Sequence, residues 1–171
     1  MVNRRPPNIL VTGTPGTGKS TLCEQLAQVT GFRHIDVSQM AKANELCDGY
    51  DEQLDSLVID EDKVCDALED ETAKGKCIVD YHSCDFFPER WFDLVVVLQT
   101  DNSVLYQRLQ KRGYSDLKIR ENVTCEIMQV LVEEARESYK EDIIKVVQND
   151  SVEELEMNVE NIRQWIISQC Q

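Results

Sequence analysis

Residues 13–20 read Gly13-Thr14-Pro15-Gly16-Thr17-Gly18-Lys19-Ser20. The apolar run Ile9-Leu10-Val11 precedes them and the helix-like Thr21-Leu22-Cys23-Glu24-Gln25-Leu26-Ala27 follows, so the motif sits at a strand-to-helix junction. That context reads as a phosphate-binding loop; the alternative is a Gly/Pro turn before a helix. Gly13, Gly16 and Gly18 let the backbone turn tightly and aim its amides inward. With the N-terminus of the next helix, those amides make a nest for phosphate oxygens. Lys19 is expected to reach the β- and γ-phosphates of a bound nucleotide, and the Ser20 hydroxyl to ligate magnesium.

Outward from this loop, strand and helix patterns alternate. A strand at 8–12 leads into a helix at 19–30 stopped by Gly31, and a short strand at 33–35 leads into a helix capped by Asp36-Val37-Ser38. Residues 46–55 are acidic and polar, and are expected to form a mobile connection. A helix at 61–73 precedes the strand Cys77-Ile78-Val79-Asp80, and the apolar run 94–98 suits a buried parallel strand. Further helices are predicted from Asp101 to Gly113, as one long helix over 121–140, and over 152–168, with a strand at 143–147 between the last two. Strands alternating with helices around a phosphate loop imply a three-layer α/β fold with a parallel sheet.

The chain of 171 residues, 42% of them hydrophobic, suits one domain without room for a second catalytic unit. A formal net charge of -14 argues against gripping nucleic acid through the overall field, and requires the positive groups of a phosphate site to be concentrated there. The seven cysteines are odd in number and lack metal-type spacing, so free thiols in a reducing compartment are expected. No secretory h-region or membrane-span window is visible, which points to a soluble intracellular protein.

Several side chains are candidates for chemistry. Asp80 closes an apolar strand, where a short carboxylate can hold magnesium directly or through water; a capping role is the alternative. His82 lies two residues on, so in extended backbone it shares Asp80's side and can approach phosphate or orient water, or else hydrogen-bond a loop. Arg108 and Arg112 are four apart on one helix face, suited to clamping phosphoryl oxygens; solvation near a helix C-terminus is the other reading. Lys118 and Arg120 are further cationic candidates, and Asp36, Lys42 and Arg90 are candidates for the acceptor side. The aromatic group Phe86, Phe87, Trp91 and Phe92 suits either a base pocket or a packed hinge.

Taken together, Thr14 to Thr21, Cys47-Asp48-Gly49-Tyr50-Asp51, Val79-Asp80-Tyr81-His82, Cys84-Asp85-Phe86-Phe87-Pro88-Glu89-Arg90-Trp91-Phe92 and Arg108-Leu109 with Lys111-Arg112-Gly113-Tyr114 resemble the adenylate kinase isoenzyme 6 family. This is a small, mainly nuclear branch of the nucleoside monophosphate kinases. The resemblance implies a P-loop nucleoside monophosphate kinase fold, with a five-stranded parallel sheet in the order 2-3-1-4-5. It implies one domain over 1–171, with a monophosphate-binding excursion at 36–59 and a short lid at 111–121 that has no metal-binding cysteines. Gly16, Gly18, Lys19, Ser20 and Thr21 would bind ATP phosphates and magnesium, Arg112 would contact ATP from the lid, and Asp80 with His82 matches the pair associated with nucleotide hydrolysis.

AMP, with dAMP or CMP as further acceptors, ATP as donor and slow ATP hydrolysis are implied. So are late cleavage of the 18S ribosomal RNA precursor, association with the basic small-subunit protein uS11 and pre-40S particles, a monomeric state, and a nuclear location with some cytoplasmic protein. Direct RNA contact is left open. One departure stands out: the family often has arginine where this chain has Lys42, and lysine lacks the bidentate fork. Two rivals remain, an assembly ATPase with secondary kinase activity and a kinase for another small molecule such as shikimate or a nucleoside.

Overall fold

A computed structural model describes residues 5–171. Its central sheet is built from β1 (Ile9–Gly13), β2 (Arg33–Asp36), β5 (Cys77–Asp80), β6 (Leu94–Gln99) and β7 (Ile144–Gln148). All neighbours are parallel, in the order β2-β5-β1-β6-β7. Counting only these five strands along the chain, that is the expected 2-3-1-4-5.

The continuous apolar strands read as buried on both faces, and their side chains sort with period two. Ile9, Val11, Ile78, Leu94, Val96 and Leu98 point to one face, where α1 (Lys19–Thr30) and α7 (Val152–Gln169) cover them with Leu22, Leu26, Leu155, Val159, Ile162 and Ile166. Leu10, Val79, Val95 and Val97 point to the other face. There α2 (Val37–Ala43), α3 (Glu61–Lys74) and α6 (Val130–Ser138) bring Val37, Val64, Leu68, Leu131 and Ala135. α4 (Asn102–Lys111) and α5 (Asp116–Ile127) pack on each other through Leu105, Leu109 and Ile119.

Two expectations are corrected. Residues 46–55 are no irregular connection: β3 (Cys47–Asp51) and β4 (Ser56–Ile59) pair antiparallel. Asp51 Oδ1 accepts from Gln53 N at 3.0 Å and Leu54 N at 3.1 Å, which closes the turn. The hairpin escapes the usual strand pattern because Tyr50, Leu57 and Val58 stay exposed, leaving no buried face to impose alternation. The long helix expected over 121–140 is two helices, because Gln129 adopts φ 53°. That left-handed residue redirects the chain, so α5 packs on α4 while α6 returns to the sheet.

The aromatic group is a packed cluster. Phe87, Trp91 and Phe92 are buried, with ring centroids 5.7–6.3 Å apart, and Trp91 Nε1 donates to Glu69. It lies by the N-terminal ends of the strands, with Asp93, which accepts from Asn8 N and Arg5. All seven cysteines are free, and no helix among the described residues is long and apolar enough to cross a membrane.

Gly75 joins α3 to β5 at φ 77°, ψ −174°, a region open to glycine alone, and any Cβ there would run into the Pro6 carbonyl oxygen. Gly75→Ala is expected to lower unfolding stability by about 2–3 kcal/mol, from backbone strain plus this clash. A denaturant titration checks it; an unchanged midpoint would contradict the close approach.

Candidate nucleotide site

Parallel α/β sheets collect ligands at the carboxyl ends of their strands, next to the point where strand order reverses. Here β1 and β5 end side by side, and the loop between Gly13 and Lys19 covers the end of β1. Gly16 and Gly18 take φ 95° and 94°, and at Gly18 a Cβ would stand 2.5 Å from Asn149 Nδ2. The loop's carbonyls are held from several directions. Thr17 Oγ1 donates to Thr14 O at 2.8 Å, Lys19 Nζ to Gly13 O at 2.8 Å, Arg108 Nη1 to Gly16 O at 3.2 Å, and Asn149 Nδ2 to Thr17 O at 2.8 Å. With its carbonyls held, the loop presents amides and a helix N-terminus to an anion.

Lys19 is partly exposed, but its amine end is enclosed by the loop. Burial lowers its pKa to about 8, against the pull of Asp80, with Arg112 adding to the lowering. A phosphate reaching this amine would favour its charged form.

Asp80 is 4% exposed at the end of β5. Its Oδ2 accepts from Ser20 Oγ at 3.1 Å and lies 3.0 Å from His34 Nε2. The hydrogen bond to Asp80 raises the pKa of His34, against partial burial. Ser20 and Asp80 thus present two oxygens together beside the phosphate loop, a hard donor pair that fits magnesium.

His82 is exposed in area, although protein surrounds it on the cleft side. This enclosure, and then Lys19, lowers its pKa to about 4, so the imidazole is neutral at pH 7. Its ring lies 4.2 Å from that of Tyr81, centroid to centroid. The segment after it is fixed by Glu134 Oε1, which accepts from Ser83 Oγ at 2.9 Å, Cys84 N at 2.6 Å and Asp85 N at 3.2 Å.

These groups open onto a cleft of about 850 Å³. Gly16, Gly18, Lys19, Ser20, Asp80 and His82 form one side of its lining. Asp36, Lys42 and the β3–β4 hairpin lie on another, and Arg112 and Lys118 come from the α4–α5 region. Asp36 also caps α2, accepting from Gln39 N at 3.1 Å. Lys118 Nζ donates to Asp55 O at 3.0 Å and sits 4.1 Å from the Tyr114 ring centroid.

Not every candidate converges. Gly13 is buried behind the loop, and Thr21 is exposed on the first turn of α1. Arg108 turns away from Arg112: besides Gly16 O, its guanidinium donates to Asn149 O at 3.1 Å and Asp150 O at 3.0 Å. It braces the phosphate loop against the segment after β7, in place of the paired clamp that its spacing suggested. Arg90 pairs with Glu69 at 2.8 Å beside the aromatic cluster, before β6 begins, and so belongs to the end of the sheet opposite the loop.

Comparison with known proteins decides the family. A family model described as an AAA domain matches residues 9–129. The adenylate kinase isoenzyme 6 homolog of Caenorhabditis elegans is 55% identical over 93% of this chain and 88% of its own length. That of Dictyostelium discoideum is 50% identical, covering 96% and 94%. The chain belongs to the adenylate kinase isoenzyme 6 family. Among solved structures, a shikimate kinase from Bacteroides thetaiotaomicron matches with a TM-score of 0.61 at 15% identity, covering 94% of this chain and 98% of that one. A gluconokinase from Sinorhizobium meliloti 1021 matches at 0.53 and 19%, covering 98% and 100%. At such identities these two carry the fold alone, a P-loop nucleoside monophosphate kinase-like α/β sheet.

For this isoenzyme 6 family member, family and phosphate loop together indicate kinase or ATPase chemistry. Sequence reading missed His34, Glu134 and Asn149. His34 was the most accessible of them: it alternates with the inward Ile35 on β2, which places it on the face of Ile78 and Asp80. Glu134 and Asn149 act across 50 and 132 residues of sequence, which no local pattern shows.

Glu134→Ala would strip three donors of their acceptor at the segment following His82. Hydrogen bonds to a charged group contribute about 1.5–3 kcal/mol, so amide exchange at Cys84 and Asp85 should speed up roughly tenfold or more. Unchanged exchange at both amides would exclude Glu134 as the anchor.

Proposed function

We propose that this protein transfers the γ-phosphoryl group of ATP to AMP, with dAMP or CMP as further acceptors, and hydrolyses ATP slowly beside that reaction. The observation that carries this reading is the two-sided cleft: the phosphate loop, Lys19 and the Ser20–Asp80 pair face Asp36, Lys42 and the hairpin across one volume. At about 850 Å³ it lies in the upper part of the range for small-molecule sites, which run to about 1,000 Å³.

In this scheme residues 36–59 are the monophosphate-binding excursion and 111–121 the lid. The loop amides and Lys19 hold the donor's phosphates, and Arg112 neutralises charge from the lid side. Lys42 meets the acceptor's phosphate as a point charge. Ser20 and Asp80, the latter directly or through water, would hold magnesium, which when bound would neutralise charge on the donor's phosphates. The acceptor phosphate is already anionic, so alignment replaces general-base chemistry. Closure by α5 would exclude water and favour transfer over hydrolysis. Arg108 contributes indirectly by keeping Gly16 in place.

His82 favours a second reading, an assembly ATPase with secondary kinase activity. Its neutral imidazole faces the cleft, where it can orient water, a role that transfer to a monophosphate does not need. The family resemblance supports a place in late 18S ribosomal RNA maturation, with uS11 and pre-40S particles as partners, and a largely nuclear location. A net charge of -14 is compatible with a basic partner.

The deciding assay follows ATP, ADP and free phosphate with magnesium, with and without AMP and uS11. Two ADP per ATP consumed with little free phosphate supports the kinase; phosphate release that rises only with uS11, and no AMP-dependent transfer, supports the ATPase. Lys19→Ala is expected to lower both activities by roughly 10²–10³-fold, the scale of losing one preorganised charge-stabilising donor. Near-normal rates in that variant would remove the phosphate loop from the mechanism. Lys42→Ala should raise the KM for AMP with little change in the KM for ATP; an effect on ATP alone would move Lys42 off the acceptor side.

A further inference from the structure

Behind the Ser20–Asp80 pair lies a donor set of another chemical character. Cys23 Sγ, His34 Nε2 and an Asp80 carboxylate oxygen all lie within 4.8 Å of one another. They come from α1, β2 and β5, three elements locked together by the sheet and its covering helix, so their proximity is a property of the core. Cys23 is fully buried and Asp80 is 4% exposed. Glu24 and Asp36 add negative charge around the group, against the positive charge of Lys19 on the phosphate-loop side. A second opening of about 430 Å³, walled in part by Ser20, Glu24, His34 and Asp36, reaches the group at His34, with Cys23 and Asp80 behind it.

We propose that Cys23, His34 and Asp80 form a binding site for a thiophilic divalent cation of the zinc type, separate in chemistry from the magnesium role of Ser20 and Asp80. A thiol and an imidazole do not suit magnesium, which demands an octahedron of oxygens; sulfur, nitrogen and a carboxylate oxygen in a three-ligand set suit zinc. Zinc–ligand bonds of about 2.0–2.3 Å place donor atoms roughly 3.3–3.7 Å apart around a tetrahedral ion. The side chains therefore need to shift by only about an ångström, with the His34–Asp80 contact opening and the sulfur moving in. A water completes the fourth position from the opening.

In forming the site, the Cys23 thiol loses its proton to solvent as the sulfur–metal bond forms, the metal keeps its oxidation state, and His34 ligates through neutral Nε2. Burial raises the pKa of Cys23 well above the ordinary thiol value, so the thiol carries its proton until a metal displaces it. Occupation would draw Asp80 away from Ser20. Resting on the proposed phosphoryl-transfer function, the consequence is inhibition: the Asp80 Oδ2 that meets His34 is the same oxygen that accepts from Ser20, so the zinc-type ion takes it from the Ser20–Asp80 pair.

The test uses the full-length chain without nucleotide and cobalt(II) chloride as the spectroscopic stand-in for zinc. The wild-type protein should bind one cobalt ion with a thiolate-to-cobalt charge-transfer band and the intense visible bands of tetrahedral coordination. Cys23→Ser should lose the thiolate band. His34→Ala should bind cobalt more weakly by more than the roughly 10–100-fold that follows loss of an outer-shell partner. Cys170→Ser, at an exposed and distant thiol, should match wild type. Absence of the band in wild type, or its persistence in Cys23→Ser, overturns the site.

Circular dichroism of the metal-free variants checks folding. Should either fail to fold, X-ray absorption of the zinc-loaded wild type decides instead. One sulfur at about 2.3 Å with nitrogen and oxygen at about 2.0–2.2 Å supports the site, and any other sulfur count overturns it. Zinc inhibition of ATP turnover should need at least about tenfold more zinc in Cys23→Ser than in wild type, the lower end of what removal of even an outer-shell partner costs. Equal sensitivity overturns the inhibitory role. A protein without turnover refutes the proposed function, while the cobalt spectrum still decides the metal site.

Discussion

A loop that offers its amides to an anion leaves its own carbonyls needing partners, and this structure is organised around supplying them. Backbone carbonyls cannot be left unpaired in a partly buried loop without a cost of about 1–3 kcal/mol each. Thr17 and Lys19 serve the carbonyls nearest β1 from within the loop, while Gly16 and Thr17 depend on Arg108 and Asn149 from far along the chain. The strand order follows the same need. With β6 and β7 on the far side of β1, the end of β7 delivers Asn149 to the loop, and the helix after β6 delivers Arg108. Asn158 on α7 in turn donates to Gln148 O at 2.9 Å, tying the last helix to the segment that carries Asn149.

The sheet divides the chain's chemistry between its two ends. At the carboxyl end lie Lys19, Asp80, His82 and Arg112, with burial and neighbouring charge displacing the pKa of Lys19 and His82 downward. At the other end, aromatic packing and the Asn8 side chain close the fold: Asn8 Nδ2 donates to Thr72 O at 2.7 Å and Trp91 O at 3.0 Å, and its Oδ1 accepts from Cys77 N at 3.0 Å. A fully buried asparagine is tolerated there because it satisfies three backbone groups at once. Arg90 belongs to this closed end, which accounts for its ion pair with Glu69.

How much of this was legible depended on whether the signal was local. The phosphate loop, the Asp36 cap, the continuous apolar runs of β1 and β6 and the Asp80 strand end can all be read within a few residues, because backbone geometry and burial act at that range. Strand order came from the family resemblance and agrees with the structure. Arg108 shows the limit of helical spacing: Arg112 keeps helical backbone and its N–H still donates to Arg108 O at 3.2 Å, yet the Arg108 guanidinium goes to Gly16, Asn149 and Asp150 while Arg112 lines the cleft. Spacing sets the face but not the partners of long side chains. The break at Gln129 was hidden because neither Met128 nor Gln129 is a helix breaker by type. There tertiary packing outweighs propensity, since a straight helix could not serve both α4 and the sheet.

The hydrogen bond from Lys118 to the Asp55 carbonyl connects α5 with the hairpin, two segments that otherwise hang from different parts of the sheet. Both residues line the cleft, so this contact spans its outer rim. The bond is solvent-exposed, so screening holds it to about 1 kcal/mol or less, and it joins the two walls only loosely. The two walls of the cleft are therefore joined there by one flexible amine, a latch that either wall can release at little cost.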